Sequence, residues 1–152
     1  MKKTILTSAM LMATFALSPA TMAEDHGEEA MSYSPKYKQF EPPAEKIPKY
    51  FSMDKVVVNF QGEGRAKFLA VDLKFMSYYP QLVEIEMEHL RPILVNDVSA
   101  FLRSKTYTEL SQADGTDKMR HDVLQIVKKV LDTHLLYPDL LEDVYLDRFV
   151  MQ

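Results

Sequence analysis

The residue types that do chemistry are present in this chain, but none sits at a spacing that would let it act. His89, His121 and His134 are scattered over two predicted helices. The interval between His121 and His134 is not a whole number of helical turns, so the two rings leave on different faces. His26 lies among Glu24, Asp25, Glu28 and Glu29, a composition that could ligate a metal, yet nothing around it would preorganise the ligands, and it reads as a solvated acidic tail. Glu84, Glu86 and Glu88 read as successive solvent-facing charges on a helix rather than as an acid–base pair. With Cys 0, no thiolate nucleophile, disulfide or zinc–thiolate site is available. No His-Glu-x-x-His, Gly-x-Ser-x-Gly or Gly-x-x-x-x-Gly-Lys occurs, and Gly62-Glu63-Gly64 is a turn rather than a phosphate loop. These residues predict no catalytic, cofactor-binding or metal-binding set. Binding or assembly outranks catalysis.

The side chains with an interaction role to offer are Tyr145, Asp147, Arg148 and Phe149, in the closing stretch Glu142–Gln152. That stretch has the β-branched and aromatic composition of a strand. By simple alternation Val144, Leu146 and Val150 point one way and Tyr145, Phe149 and Met151 the other, with Asp147 and Arg148 the polar breaks. A strand apolar on both sides is expected inside a sheet or between two layers, closing the core. Its partners are legible upstream. Val56, Val58 and Phe60 alternate with polar positions, turn residues follow from Gln61 to Gly64, and Leu69, Val71, Leu73 and Phe75 alternate again, an antiparallel hairpin. Pro80 suits the first turn of a helix whose apolar positions are Leu82, Ile85, Leu90, Ile93, Leu94, Val98, Phe101 and Leu102, with a kink or a join at Pro92. Asp114 and Asp117 offer capping groups to a second helix, striped by Met119, Val123, Ile126, Val127, Val130 and Leu131 and stopped near Tyr137-Pro138-Asp139. The order predicts an α+β domain: an antiparallel sheet, hairpin plus C-terminal strand, packed with two main helices.

Ahead of this domain come two accessory segments. Residues 1–23 join the basic start Met1-Lys2-Lys3 to an apolar run and then to Ser18-Pro19-Ala20, which reads as a signal peptide or, if retained, as an N-terminal membrane anchor. Both readings place the rest outside the cytoplasm. Residues 24–49 are acidic, then proline-rich, an extended linker in which Tyr33, Tyr37 and Phe40 suggest packing against something. The formal charge of −4 and the lack of a basic cluster exclude a nucleic-acid footprint.

Four stretches carry a family likeness: Leu90-Arg91-Pro92-Ile93-Leu94; Phe101-Leu102-Arg103-Ser104-Lys105-Thr106; Asp114-Gly115-Thr116-Asp117-Lys118-Met119-Arg120; and the ending Glu142–Gln152. Over about residues 50–152 the chain resembles the flagellar basal-body-associated FliL family, whose members close on a Val-Glu-x-Val-Tyr/Phe-Phe-Thr-x-Phe-Val-x-Gln type of ending. Here Leu146-Asp147 stands where that pattern has Phe-Thr. The resemblance implies a non-enzymatic periplasmic domain similar to the stomatin/prohibitin type. It implies assembly as a homo-oligomeric ring around the flagellar stator units at the inner membrane, with effects on torque, swarming and the direction of rotation. The competing expectation is a periplasmic module that captures a peptide or small ligand on an exposed sheet edge.

Overall fold

A computed structural model describes residues 34–62 and 66–152. Residues 1–23, read above as a signal peptide or an anchor, the His26 cluster, Tyr33 and the Glu63-Gly64 part of the turn lie outside the described residues. Three strands form one antiparallel sheet in the order β1-β2-β3: β1 is Lys49–Asn59, β2 Phe68–Ser77 and β3 Leu141–Met151. Between β2 and β3 run a π-helical turn, Leu82–Glu86, and the helices α1 (Met87–His89), α2 (Arg91–Arg103), α3 (Tyr107–Leu110) and α4 (Gly115–Thr133), then a 3₁₀ turn at Pro138–Leu140. The α+β expectation therefore stands, with α2 packed over β1 and α4 over β3 on one face of the sheet.

The middle strand explains why the layers adhere. Leu69, Val71, Leu73 and Phe75 of β2 are fully buried and meet the helices' Leu94, Val98, Leu102, Met119, Val123 and Val127. β1 joins this row with one break in phase and β3 with two. In β1 the register shifts between Met53 and Val56, so Phe51 and Met53 face the core before the break and Val56 and Val58 after it. In β3 one shift falls opposite Met76/Ser77, leaving Glu142 extra, and the other opposite Asp72/Leu73, with Leu146 paired to Leu73 and Arg148 to Asp72, leaving Asp147 as the extra residue of a bulge.

That bulge overturns two expectations about the closing strand. After Asp147 the alternation reverses, so Phe149 and Met151 pair with Val71 and Leu69 and pack against the core beside Val144 and Leu146, while Val150 pairs with Ala70 on the other face. Phe149 is thus on the opposite side from Tyr145. Nor is β3 an interior strand: it is an edge, and its apolar character on both sides comes from the phase change. It still closes the core, with Leu141 and Val144 fully buried. Gln152 exchanges backbone hydrogen bonds with Phe68, and its carbonyl also accepts from the Lys67 N–H.

The helices begin and end for local reasons. Pro80 opens the first, and the π turn places Leu82, Val83 and Met87 on the core side while Ile85 is left exposed. Pro92 lacks the N–H that would bond back into the preceding turn, so α1 stops and α2 restarts across Leu90, and Ile93 faces out. These two exposed isoleucines depart from the predicted stripe. Thr106 and Glu109 form a capping box at α3. Asp114, expected to cap α4, makes no cap bond and pairs with Lys118 instead, 2.6 Å away. α4 ends before Tyr137: Leu135 takes a left-handed φ of 60°, and the Leu135 and Leu136 N–H groups donate to Asp132 and Leu131.

Residues 34–48 lie on the domain. Phe40 is buried in the core against Tyr79, and the Lys38 N–H donates to the Leu135 carbonyl at 2.7 Å. The Tyr37 ring packs tilted against Tyr137 and its hydroxyl donates to Asp132, and Lys38 pairs with Glu86. Glu86 is accordingly a half-buried anchor for this strap and not a free surface charge. Its neighbours Glu84 and Glu88 are exposed and engage Lys49 and Arg91.

Candidate interaction surface

The helices cover only one face of the sheet, and among the described residues nothing covers the other. Reading across it, β1 contributes Tyr50, Ser52 and Val57, β2 contributes Ala70, Asp72 and Lys74, and β3 contributes Tyr145, Arg148 and Val150. Val57 is 60% exposed, Tyr50 51% and Tyr145 40%, high values for large apolar side chains in a sheet. The Tyr50 and Tyr145 rings meet edge to face over Lys74, 6.3 Å between centroids, and frame an open hollow of about 460 Å³. Lys74 is held by Asp147, Nζ to Oδ2 3.0 Å. The bulge supplies this contact, because the extra residue turns the Asp147 carboxylate toward the exposed face.

Asp72 organises the polar half. The β1 bulge and one of the two in β3 lie opposite it. On the β1 side Lys55 adopts a left-handed φ of 58° and donates its N–H to Asp72 Oδ1 at 2.6 Å. On the β3 side Arg148 is in register with Asp72, but the carboxylate is engaged by Lys55, and Arg148 makes no ion pair among the described residues. The sequence-predicted set therefore divides. Tyr145, Asp147 and Arg148 come together on the open face, and Phe149 turns inward. Tyr50, Val57 and Lys74 belong to the same surface and were missed, because only the strand register brings them beside Tyr145.

Both free edges of the sheet are met by an arginine. Arg91 Nη1 donates to the Ser52 carbonyl of β1 at 2.9 Å, with its guanidinium 4.4 Å from the Phe51 ring centre. It grips Glu88 with two further bonds of 2.8 and 2.6 Å, and those bonds hold the Glu88 carboxyl below the usual carboxylate range. At the other edge Arg120 Nε donates to the Val144 carbonyl of β3 at 3.0 Å and lies 3.5 Å from the Asp143 carboxylate. Charged side chains set on edge carbonyls deter a further strand from pairing there.

Among the described residues the histidines do not converge on this surface. His89 and His121 are exposed on separate helices, and His134 Nδ1 lies 2.8 Å from the Val130 carbonyl at the end of α4. Among the described residues no group of His, Asp and Glu could hold a metal, and no buried polar side-chain atom lacks a partner. No described helix is long and apolar enough to cross a membrane.

Comparison with known proteins follows the same outline. Residues 50–152, from the start of β1 through the end of β3, match the family model described as flagellar basal body-associated protein FliL. The chain belongs to the FliL family. It is also similar to the flagellar protein LafL of Vibrio parahaemolyticus serotype O3:K6 (strain RIMD 2210633), 25% identical over 155 residues that take in 97% of this chain and 92% of the relative. The FliL match takes in the sheet from Tyr50 onward and the four described helices but not the strap that carries Phe40.

Proposed function

We infer that this FliL-family chain is a non-enzymatic accessory of the flagellar basal body. In this reading it is exported, or held at the inner membrane, by residues 1–23, and its α+β domain, of the stomatin/prohibitin type, self-associates in a ring beside the stator units. There it supports torque, swarming and the direction of rotation. The observation that carries the reading is the open sheet face with its exposed Tyr50, Val57 and Tyr145. Exposed aromatic side chains clustered on one face are what a contact surface requires, and binding energy concentrates on such residues. Family membership and the flagellar relative support the motor as its setting. Capture of a peptide by strand addition is disfavoured, because Arg91 and Arg120 occupy carbonyls on both free edges.

Deleting the gene and restoring it in trans tests the reading. Swimming or swarming should fall on deletion and return with the wild-type chain, and a fluorescent fusion should gather at flagellated sites. Undiminished motility together with diffuse fluorescence would refute it.

A further inference from the structure

The open sheet face is not the only apolar patch on this molecule. A second lies on the other layer, a shallow groove between α2 and α4 lined by Ile93, Asp97, Ile126, Lys129 and Val130. Ile93 is 40% exposed there. The two patches differ in shape: one is a flat sheet carrying protruding tyrosines, the other a furrow between helices. Each also leaves charge without an ion pair among the described residues. On the sheet that charge is Arg148; in the groove, Asp97 accepts only a hydrogen bond from Asn96 and pairs with no base among the described residues. Lys129, beside it, likewise makes no ion pair.

We propose that the open sheet face of one copy docks into the α2–α4 groove of the next, with Arg148 meeting Asp97 and Tyr145 covering Ile93. This rests on the ring reading above and names the surfaces that would build it. Arg148 on one surface would meet the unpaired Asp97 on the other, while Lys129 would approach Asp147 and Asp72, which already engage Lys74 and the Lys55 N–H. Two different patches on one chain make a heterologous contact, which continues from copy to copy and closes into a ring when the rotation permits, whereas a patch that paired with itself would stop at a dimer. Size limits the strength of one such contact. Three strands spaced about 4.8 Å apart and running about 35 Å present roughly 500 Å² in projection. A stable pairwise complex covers about 800 Å² on each partner. A single contact should therefore be weak, and closure, in which every copy is held twice, should supply the stability.

Charge reversal tests this on the exported chain, by sedimentation over a concentration series and by motility of the complemented deletion strain. Wild type should pass from monomer to a closed assembly as concentration rises. Arg148→Asp alone and Asp97→Arg alone should each weaken assembly at least tenfold, and the double variant should recover most of it. Circular dichroism should be unchanged in all three, since neither residue is buried or paired. Recovery in the double variant supports the docking. Assembly that survives both single reversals, or that the double variant fails to restore, overturns it while leaving the ring reading intact. A wild type that stays monomeric at every concentration overturns the ring reading, and the docking with it. Normal assembly with motility lost in Arg148→Asp overturns the docking and assigns the sheet face to another motor component.

Discussion

Replacing Phe40 by alanine is the sharpest test of where this domain begins. The family match starts at Tyr50, yet Phe40 is 8% exposed and packs edge-on against Tyr79, 6.4 Å between ring centres. Removing a buried phenylalanine side chain costs about 3–5 kcal/mol, the transfer contribution plus that of the cavity left behind. A domain of this size has roughly 5–15 kcal/mol in all. At about 4 °C per kcal/mol, the melting temperature should fall by about 12–20 °C. Urea unfolding followed by circular dichroism gives the same quantity as a lower midpoint with an unchanged slope. The remaining strap contacts, from Lys36, Tyr37 and Lys38, are partly exposed ion pairs, a tyrosine hydroxyl bond to Asp132, a tilted ring contact with Tyr137 and one backbone bond, and none of them fills the cavity that the missing ring leaves. A chain cut at residue 50 should be destabilised at least as much. An alanine variant whose midpoint matches wild type would show that the strap is not part of the folded unit.

The strap should also loosen in acid. Hydrogen bonds from Tyr37 and then Lys36 hold the Asp132 carboxyl below its usual range. A depressed folded value means the contribution is present above the unfolded carboxylate pKa, about 3.9, and is lost as pH falls through the folded one. NMR signals of the Tyr37 ring and the Lys38 amide should shift below about pH 4. Asp132→Asn should abolish that step, and a step that persists in the variant would assign it elsewhere. Gly115→Ala should destabilise by about 1–3 kcal/mol, because its methyl carbon would sit 2.2 Å from the Glu109 carbonyl oxygen and 3.0 Å from Leu110 Cα. Both neighbours are backbone atoms, so an unchanged urea midpoint would mean the corner between α3 and α4 is looser than its packing suggests. Deleting residues 149–152 removes three half-buried apolar side chains and the Gln152–Phe68 pairing, and should leave little folded protein. An unchanged unfolding midpoint would refute the view that β3 closes the core.

How legible the molecule is depends on whether a feature is local. Leu69 to Phe75 alternates without interruption, and β2 was readable from that pattern. β1 showed only its second half, because the break at Asp54-Lys55 reverses the phase and hides Phe51 and Met53 as partners of Val56 and Val58. The same device misled the reading of β3. One inserted residue, Asp147, made an edge strand look apolar on both faces and sent Phe149 to the wrong side. Nothing in the local pattern marks a bulge here, since no glycine accompanies it. The open surface was half visible. Tyr145, Asp147 and Arg148 are contiguous and drew attention, whereas Tyr50 and Lys74 join them only through cross-strand register. Arg91 and Arg120 read as ordinary polar helix positions, and their place on the sheet edges is a tertiary fact.

The central claim is that the sheet face of one copy meets the α2–α4 groove of the next, and cysteine cross-linking in living cells addresses it most directly. The chain has Cys 0, so introduced thiols report without background. Tyr145→Cys combined with Ile93→Cys, expressed in the deletion strain and treated with a mild oxidant, should give a ladder of multimers on a non-reducing gel. Either cysteine alone should give none. A ladder that needs both positions is the predicted result. An unlinked double variant, present at wild-type level in motile cells, would contradict the claim.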